Sequence, residues 1–227
     1  MEVFGSSGTR GVANDAITPS FACRVSQAVA TEWEASRVAI AKDTRTTGDM
    51  LTNAAASGLE SCGKDVDRLG ILPTPGLQAY AEQENVPAVM ITASHNPPEY
   101  NGIKLIGADG VELSLDQLGE VEETLLSDKY STADWMQTGT DRTVDVGEEI
   151  YINQLVDATN KSAISDANLT VALDPGHGAG ALTSPDFFRK LGCQVLTVNA
   201  HPDGHFPGRN PEPIAENLDD LGRLVRT

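Results

Sequence analysis

The chain has 227 residues, enough for one large or two small α/β domains. Hydrophobic residues make up 40% and aromatics only 5%, so a sizeable core is expected, built mainly from Val, Leu, Ile and Ala. The net charge of −17, from 33 acidic and 16 basic residues, argues against nucleic acid or an anionic membrane as partner, since both need a basic surface.

Taken in order, residues 1–4 read as a short strand. Gly5-Ser6-Ser7-Gly8-Thr9-Arg10-Gly11 follows as a flexible loop. Glycine permits close backbone approach, and Arg10 can grip a phosphate through two parallel N–H bonds. The plainer alternative is a Gly/Ser turn with a solvated arginine. Thr18-Pro19 signals a helix start, an N-cap followed by proline at the first helical position. Phe21, Val25, Ala28 and Val29 then share one helical face. Residues 37–41 form a strand ending in Lys42-Asp43-Thr44-Arg45, which otherwise reads as a charged turn before the next helix. Thr46 or Thr47 caps that helix, which runs to Cys62 with Gly63 as the stop. Residues 66–71 are a strand, Leu72-Pro73-Thr74-Pro75-Gly76 a rigid structural turn, and 77–84 a helix.

Residues 87–92 read as a short buried strand, an apolar run ending at a polar residue. The pattern then breaks in Ile91-Thr92-Ala93-Ser94-His95-Asn96-Pro97-Pro98-Glu99-Tyr100-Asn101-Gly102-Ile103-Lys104. Pro97-Pro98 can continue neither a ladder nor a helix, and Asn101-Gly102 is a turn signal. Ser94 and His95 therefore sit on a rigid loop at the C-terminal end of a strand, and Lys104 re-enters on the next strand, 102–106. In open α/β sheets ligands bind at that edge. The plainer alternative is a turn whose side chains only cap backbone groups.

Ala108-Asp109-Gly110 is a tight turn between short strands. Ser114 caps a helix over 115–126, with Leu118, Val121, Leu125 and Leu126 inward. Residues 128–147 lack a long apolar run and are rich in Asp, Ser and Thr; they are taken as a linker between domains at 1–127 and 148–227. A helix over 148–160 places Ile152, Leu155 and Val156 inward. A strand over 169–173 leads into Asp174-Pro175-Gly176-His177-Gly178-Ala179-Gly180. Strand, glycine loop and helix outline a phosphate site, but the run matches neither the dinucleotide nor the Walker pattern. A tight turn with a structural His177 is the preferred reading. A strand over 193–198 precedes the Pro-rich loop 201–213, whose His201, Asp203 and His205 lack metal-ligand spacing. A further helix begins near Glu216. The strand–helix alternation implies an α/β fold with mixed, mostly parallel sheets sandwiched by helices, in two domains.

The run T-A-S-H-N-P, followed by N-G-x-K, resembles the phosphoserine loop of the α-D-phosphohexomutases: phosphoglucomutases, phosphomannomutases and phosphoglucosamine mutases. The opening F-G-S-S-G-T-R-G resembles that family's F-G-T-S-G-x-R-G, with Thr9 where an apolar residue is usual. A D-x-R element at Asp43-Arg45, a P-T-P turn at residues 73–75, a D-x-x-x-G-x-G turn at Asp174–Gly180 and F-P-x-R-x-P-E-P-x-x-E-N-L at Phe206–Leu218 extend the likeness over nearly the whole chain.

The resemblance implies an intramolecular phosphotransferase. Hexose 1-phosphate and hexose 6-phosphate would interconvert through phospho-Ser94 and a hexose 1,6-bisphosphate. It implies that His95, Lys104 and Arg10 assist catalysis, that Ser7, Arg45 and Asn101 bind phosphate or substrate, and that Mg²⁺ binds through the phosphate on Ser94. The family's D-G-D-x-D-R metal loop is absent from this sequence. The chain corresponds to about the first half of a family member, so it is expected to be a fragment that is inactive alone. Phosphoglucosamine mutase and a non-catalytic phosphosugar-binding module are the alternatives.

No apolar run approaches the roughly 20 residues of a membrane span, and no secretion signal is evident, so a cytoplasmic location is expected. Cys23, Cys62 and Cys193 form no C-x-x-C pair and indicate neither a disulfide framework nor a zinc site. Arg outnumbers Lys and Asp outnumbers Glu, a bias that suggests a salt-loving, haloarchaeal source.

Overall fold

The computed structural model describes residues 3–5 and 8–226. It holds two separate sheets. The larger is built on β2 (Arg37–Lys42), β3 (Asp65–Ile71) and β4 (Ala88–Ile91), with β2 parallel to both of the others. β5 (Tyr100–Ile106) runs antiparallel to β4, β1 (Thr9–Val12) antiparallel to β5, and β6 (Asp141–Thr143) parallel to β3. The order β1-β5-β4-β2-β3-β6 makes a mixed, mostly parallel sheet.

Side-chain alternation along β2 divides the core in two. Val38 and Ile40 face one layer, together with Val66, Val89, Ile91, Ile103 and Leu105. That layer is covered by α1 (Pro19–Glu32), α2 (Gly48–Ser61) and α4 (Leu115–Ser127). Ala39 and Ala41 face the other, where α3 (Thr74–Glu84) supplies Leu77, Tyr80 and Ala81. Both faces of β2 are therefore buried, which is why Val38-Ala39-Ile40-Ala41 is a continuous apolar run rather than an alternating one.

The helix signals act as expected at α1 and α4. Thr18 accepts from the Phe21 amide with Pro19 at the first position, and Ser114 with Gln117 forms a reciprocal capping box. Thr47 stands at the α2 N-cap without a side-chain capping bond. Four expectations in this half need correction. The first ordered strand is Thr9–Val12, within the stretch read as a loop, while Met1 and Glu2 of the expected strand lie outside the described residues. α3 starts at Thr74, because Pro73 and Pro75 suit a cap and a second helical position rather than a turn. β5 starts at Tyr100, so Asn101-Gly102 is strand, not turn. Leu126 is 64% exposed, falling off the buried stripe of Leu118, Val121 and Leu125.

The stretch read as a linker contributes β6 and packs on the first sheet. Its Ala133 and Gly139 amides donate to Ser61 and Glu60 carbonyls. The expected helix over 148–160 is α5 (Gly147–Asp157), which ends three residues early, and a separate short α6 (Lys161–Asp166) follows, capped by the Asn160 side chain. The second sheet is a parallel pair, β7 (Thr170–Leu173) and β8 (Gln194–Thr197), rather than a mixed sheet. α7 (Gly180–Lys190) connects them, and α8 (Asp219–Val225) follows a single 3-10 turn at Ala215–Asn217. No helix among the described residues is long and apolar enough to cross a membrane.

Candidate active site

After β2 the chain turns toward β3, and after β4 it turns toward β5, on the opposite side. The connections leaving the C-terminal ends of these adjacent parallel strands diverge and leave a crevice, the usual ligand position in such sheets. A cavity of about 360 Å³ opens there. One wall is Asp43 and Thr44 after β2, Pro73 and Thr74 at the start of α3, and Thr92, Ser94 and His95 after β4. The facing wall comes from the glycine turn after β7, residues Pro175, Gly176, Gly178, Ala179 and Gly180, with Phe206, Pro211 and Pro213. Two helix N-termini, those of α3 and α7, border the space, and their free amides favour an anion.

Ser94 is exposed and adopts the left-handed region at φ 57°, which non-glycine residues enter at a cost of about 1–3 kcal/mol. His177 and Phe206, beside the same cavity, share that conformation at φ 60° and 50°. The Ser94 amide donates to Thr92 Oγ1 (3.0 Å), whose hydroxyl donates to Asp43 Oδ2 (2.6 Å). Ser94 Oγ lies 3.3 Å from His95 Nδ1. A hydroxyl is thus presented to the cavity on a loop fixed from behind.

What fixes it is Arg45. Expected to line the cleft and bind phosphate, this residue lies beneath the loop, with none of its side chain exposed. Nη1 donates to the carbonyls of Pro97 (2.6 Å) and Tyr100 (2.9 Å), Nη2 to those of Ser94 (3.0 Å) and Asn96 (2.6 Å), and Nε to Asp43 Oδ2 (3.1 Å). Every nitrogen of the guanidinium is taken. Burial lowers its pKa and the Asp43 carboxylate opposes that, so the group stays charged. Asn101 is likewise corrected. It is fully buried, its Oδ1 accepts from the Gly102 amide (2.8 Å), and its Nδ2 donates to Thr47 Oγ1 (3.0 Å).

Arg10 projects from β1 and reaches Asn96 Oδ1 at 3.4 Å, which places it beside the serine loop. Lys104 lies on β5, its Nζ 2.6 Å from Glu112 Oε1. Gly5 and Gly8 exchange both backbone bonds, and Gly8 packs against the backbone of Ile103 and Lys104; Ser7 lies outside the described residues. The structure therefore brings Ser94 and His95 into the cavity and sets Arg10 and Lys104 on neighbouring strands.

Reading the sequence missed Thr92 as the tether of Ser94. It also set aside Thr74 and the glycine turn as structural, though both line the cavity. His177 is a structural residue: it is 2% exposed, its Nε2 accepts from the Gly208 amide (3.0 Å), and its Nδ1 lies 3.2 Å from the His201 carbonyl. The second wall has its own brace. Arg209 Nε donates to Asp174 Oδ2 (2.9 Å), and Nη1 donates to the carbonyls of Asn210 (2.8 Å) and Pro211 (3.0 Å).

For Mg²⁺, the described residues hold no group of three or more His, Cys, Asp or Glu side chains that could hold a metal ion. Asp43 and Asp174 are committed to their arginines, and Asp203 accepts from the His205 amide. Without a phosphate on Ser94, these residues do not fit the ion.

Comparison with known proteins places these features. Residues 1–131 match the family model described as "Phosphoglucomutase/phosphomannomutase, alpha/beta/alpha domain I". Residues 149–227 match the corresponding domain II. A phosphoglucomutase/phosphomannomutase of Thermococcus kodakarensis is 43% identical over 99% of this chain and 50% of its own length. A probable phosphoglucosamine mutase of Methanopyrus kandleri is 40% identical over 98% of this chain and 49% of its own. The crystal structure of a putative phosphomannomutase from Thermus thermophilus superposes with a TM-score of 0.87 at 29% identity, covering 99% of this chain and 52% of that one. The chain spans about half the length of the curated relatives it matches. None of these matches supports a haloarchaeal source.

Proposed function

The chain belongs to the phosphoglucomutase/phosphomannomutase family, and on that premise we propose that it carries the phosphoryl-relay half of a hexose-phosphate mutase, with Ser94 as the carrier. One observation carries the reading. Ser94 is the exposed hydroxyl of the cavity's loop wall, held in the left-handed region by a loop whose carbonyls are pinned from beneath. Phosphoryl transfer asks the protein for positioning and positive charge more than for covalent help. A hexose 1,6-bisphosphate presents a phosphoryl group to Ser94 Oγ. The hydroxyl oxygen bonds to phosphorus as the sugar oxygen leaves, the serine proton passes to a nearby base and from it to the departing sugar oxygen, and the sugar monophosphate is released. His95, 3.3 Å from Oγ, is placed to take that proton, and Arg10 to meet the phosphate's charge. Lys104 serves the same role once it leaves Glu112.

The family is generally magnesium-dependent. The substrate is a sugar phosphate of the glucose, mannose or glucosamine type, as the relatives' names span those sugars. A cytoplasmic location fits such a substrate. The step proposed for the residues of this chain is the taking of a phosphate by Ser94.

The experiment is incubation with glucose 1,6-bisphosphate and Mg²⁺, followed by intact-mass analysis and peptide mapping. The expected result is a single phosphate on Ser94, lost in Ser94→Ala. Phosphate on another residue, or none, would remove Ser94 as carrier and favour a phosphosugar-binding module.

A further inference from the structure

Arg45 is bonded to more than the serine loop. The Phe206 ring of the opposite wall lies over its guanidinium, 5.5 Å from Cζ to the ring centroid. Phe206 is 9% exposed and itself left-handed. Two residues earlier, Gly204 rests directly on the backbone of Thr44 and Thr46, so closely that a Cβ there would overlap the Thr44 carbonyl. Its neighbour Asp203 ties the loop to the glycine turn, its backbone amide donating a hydrogen bond to the His177 carbonyl (3.0 Å). One guanidinium thus touches both walls: its edge holds four carbonyls of the serine loop, and its face holds Phe206.

We propose that Arg45 is a positioning residue that makes the seating of the 203–206 loop part of the geometry of Ser94, so that the two walls of the cavity are coupled. The proposal rests on the reading of Ser94 as carrier for its consequence in rate, but not for the coupling itself. The planar fork is needed, because a lysine ammonium could neither bond four carbonyls and a carboxylate at once nor lie flat against a ring. If the ring leaves, the guanidinium is free to tilt, and the carbonyls of Ser94 and Asn96 move with it. Displacements of about 1 Å at a reacting group can cost about a hundredfold in rate.

The test uses the whole chain with Phe206→Ala, Phe206→Leu and Phe206→Tyr. The first readout is hydrogen exchange of the Ser94 and Asn96 amides, which bond to Thr92 Oγ1 and the Ala93 carbonyl. The second is the single-turnover rate of Ser94 phosphorylation by glucose 1,6-bisphosphate, against its concentration. We expect Phe206→Ala and Phe206→Leu to speed exchange at both amides about tenfold, in line with a desolvated cation–ring contact. The core amides of Ile40 and Val89 should stay protected. The maximal phosphorylation rate should fall by a similar factor, and Phe206→Tyr should restore both the rate and the slow exchange. Unchanged exchange at Ser94 and Asn96, or a Phe206→Leu chain that behaves as wild type, would overturn the coupling. If Phe206→Ala loosens the whole chain, the Leu and Tyr pair decides. A wild-type chain that takes no phosphate would sink the carrier reading, while the exchange comparison would still decide the coupling.

Discussion

Two Asp–Arg pairs stand behind the two walls of the cavity: Asp43–Arg45 just after β2, and Asp174 just after β7 with Arg209 from the loop that follows β8. In both, a buried carboxylate holds a guanidinium that spends its remaining donors on main-chain carbonyls. The Asp174 side chain is 1% exposed and that of Arg209 8%. Asp174→Ala leaves a buried cation unpaired, so a loss of about 3–5 kcal/mol is expected in denaturant unfolding. A second prediction concerns strain. Ser94→Gly should be more stable than Ser94→Ala by about 1 kcal/mol, because alanine keeps the left-handed penalty at φ 57° and glycine does not. Thermal midpoints of the two variants measure it. That Ser94 and His95 face the cavity was readable from local sequence, since proline and strand-end signals surround them. The places of Arg45 and Asn101 were not. Which way a loop's carbonyls turn is fixed by its fold, not by residue identity, and a D-x-R run looks the same facing solvent or facing its own loop.

At the scale of elements, the helices and the central strands were legible because their apolar periodicity and caps are local. β1 and β6 were not. β1 contains Arg10 and Gly11 in four residues and exists because β5 offers it an edge. β6 is Asp-Arg-Thr, wholly exposed, and carries no apolar pattern to read. Gly102 shows how the edge is kept close: a Cβ there would overlap the carbonyls of Thr9 and Thr92. Gly102→Ala should therefore push β1 away, cost about 1–3 kcal/mol, and move Arg10 from the serine loop. β6 is held through Asp67 on β3. This carboxylate, 1% exposed, accepts from Arg142 Nε (2.6 Å) and Tyr80 (2.8 Å) and pairs with Arg37 (3.3 Å). Burial would raise its pKa, but Arg142, Tyr80 and Arg37 together hold it below the ordinary carboxylate value. Its contribution is therefore present above about pH 4 and lost as pH falls through the lower folded value. Asp67→Asn should cost about 1–3 kcal/mol at pH 7 and progressively less in acid, read from urea midpoints at a series of pH values.

At the scale of the molecule, the charge of −17 sets 33 acidic residues against 16 basic ones, and Arg45, Lys104 and Arg209 near the cavity are already ion-paired. Self-repulsion of that size weakens the compact state and is screened by salt, with a Debye length of about 10 Å at 0.1 M and about 3 Å at 1 M. The thermal midpoint should rise between these concentrations of KCl; a fall would mean that ion pairs such as Arg24–Asp128 outweigh the repulsion. The central claim is that the space between the serine loop and the glycine turn is a phosphosugar site shared by both walls. Titration of the chain with glucose 1,6-bisphosphate, followed by backbone amide NMR shifts, tests it most directly. Saturable shifts are expected at Ser94 and His95 together with Gly178, Ala179 and Gly180. Shifts confined to one wall, or falling elsewhere on the surface, would contradict it.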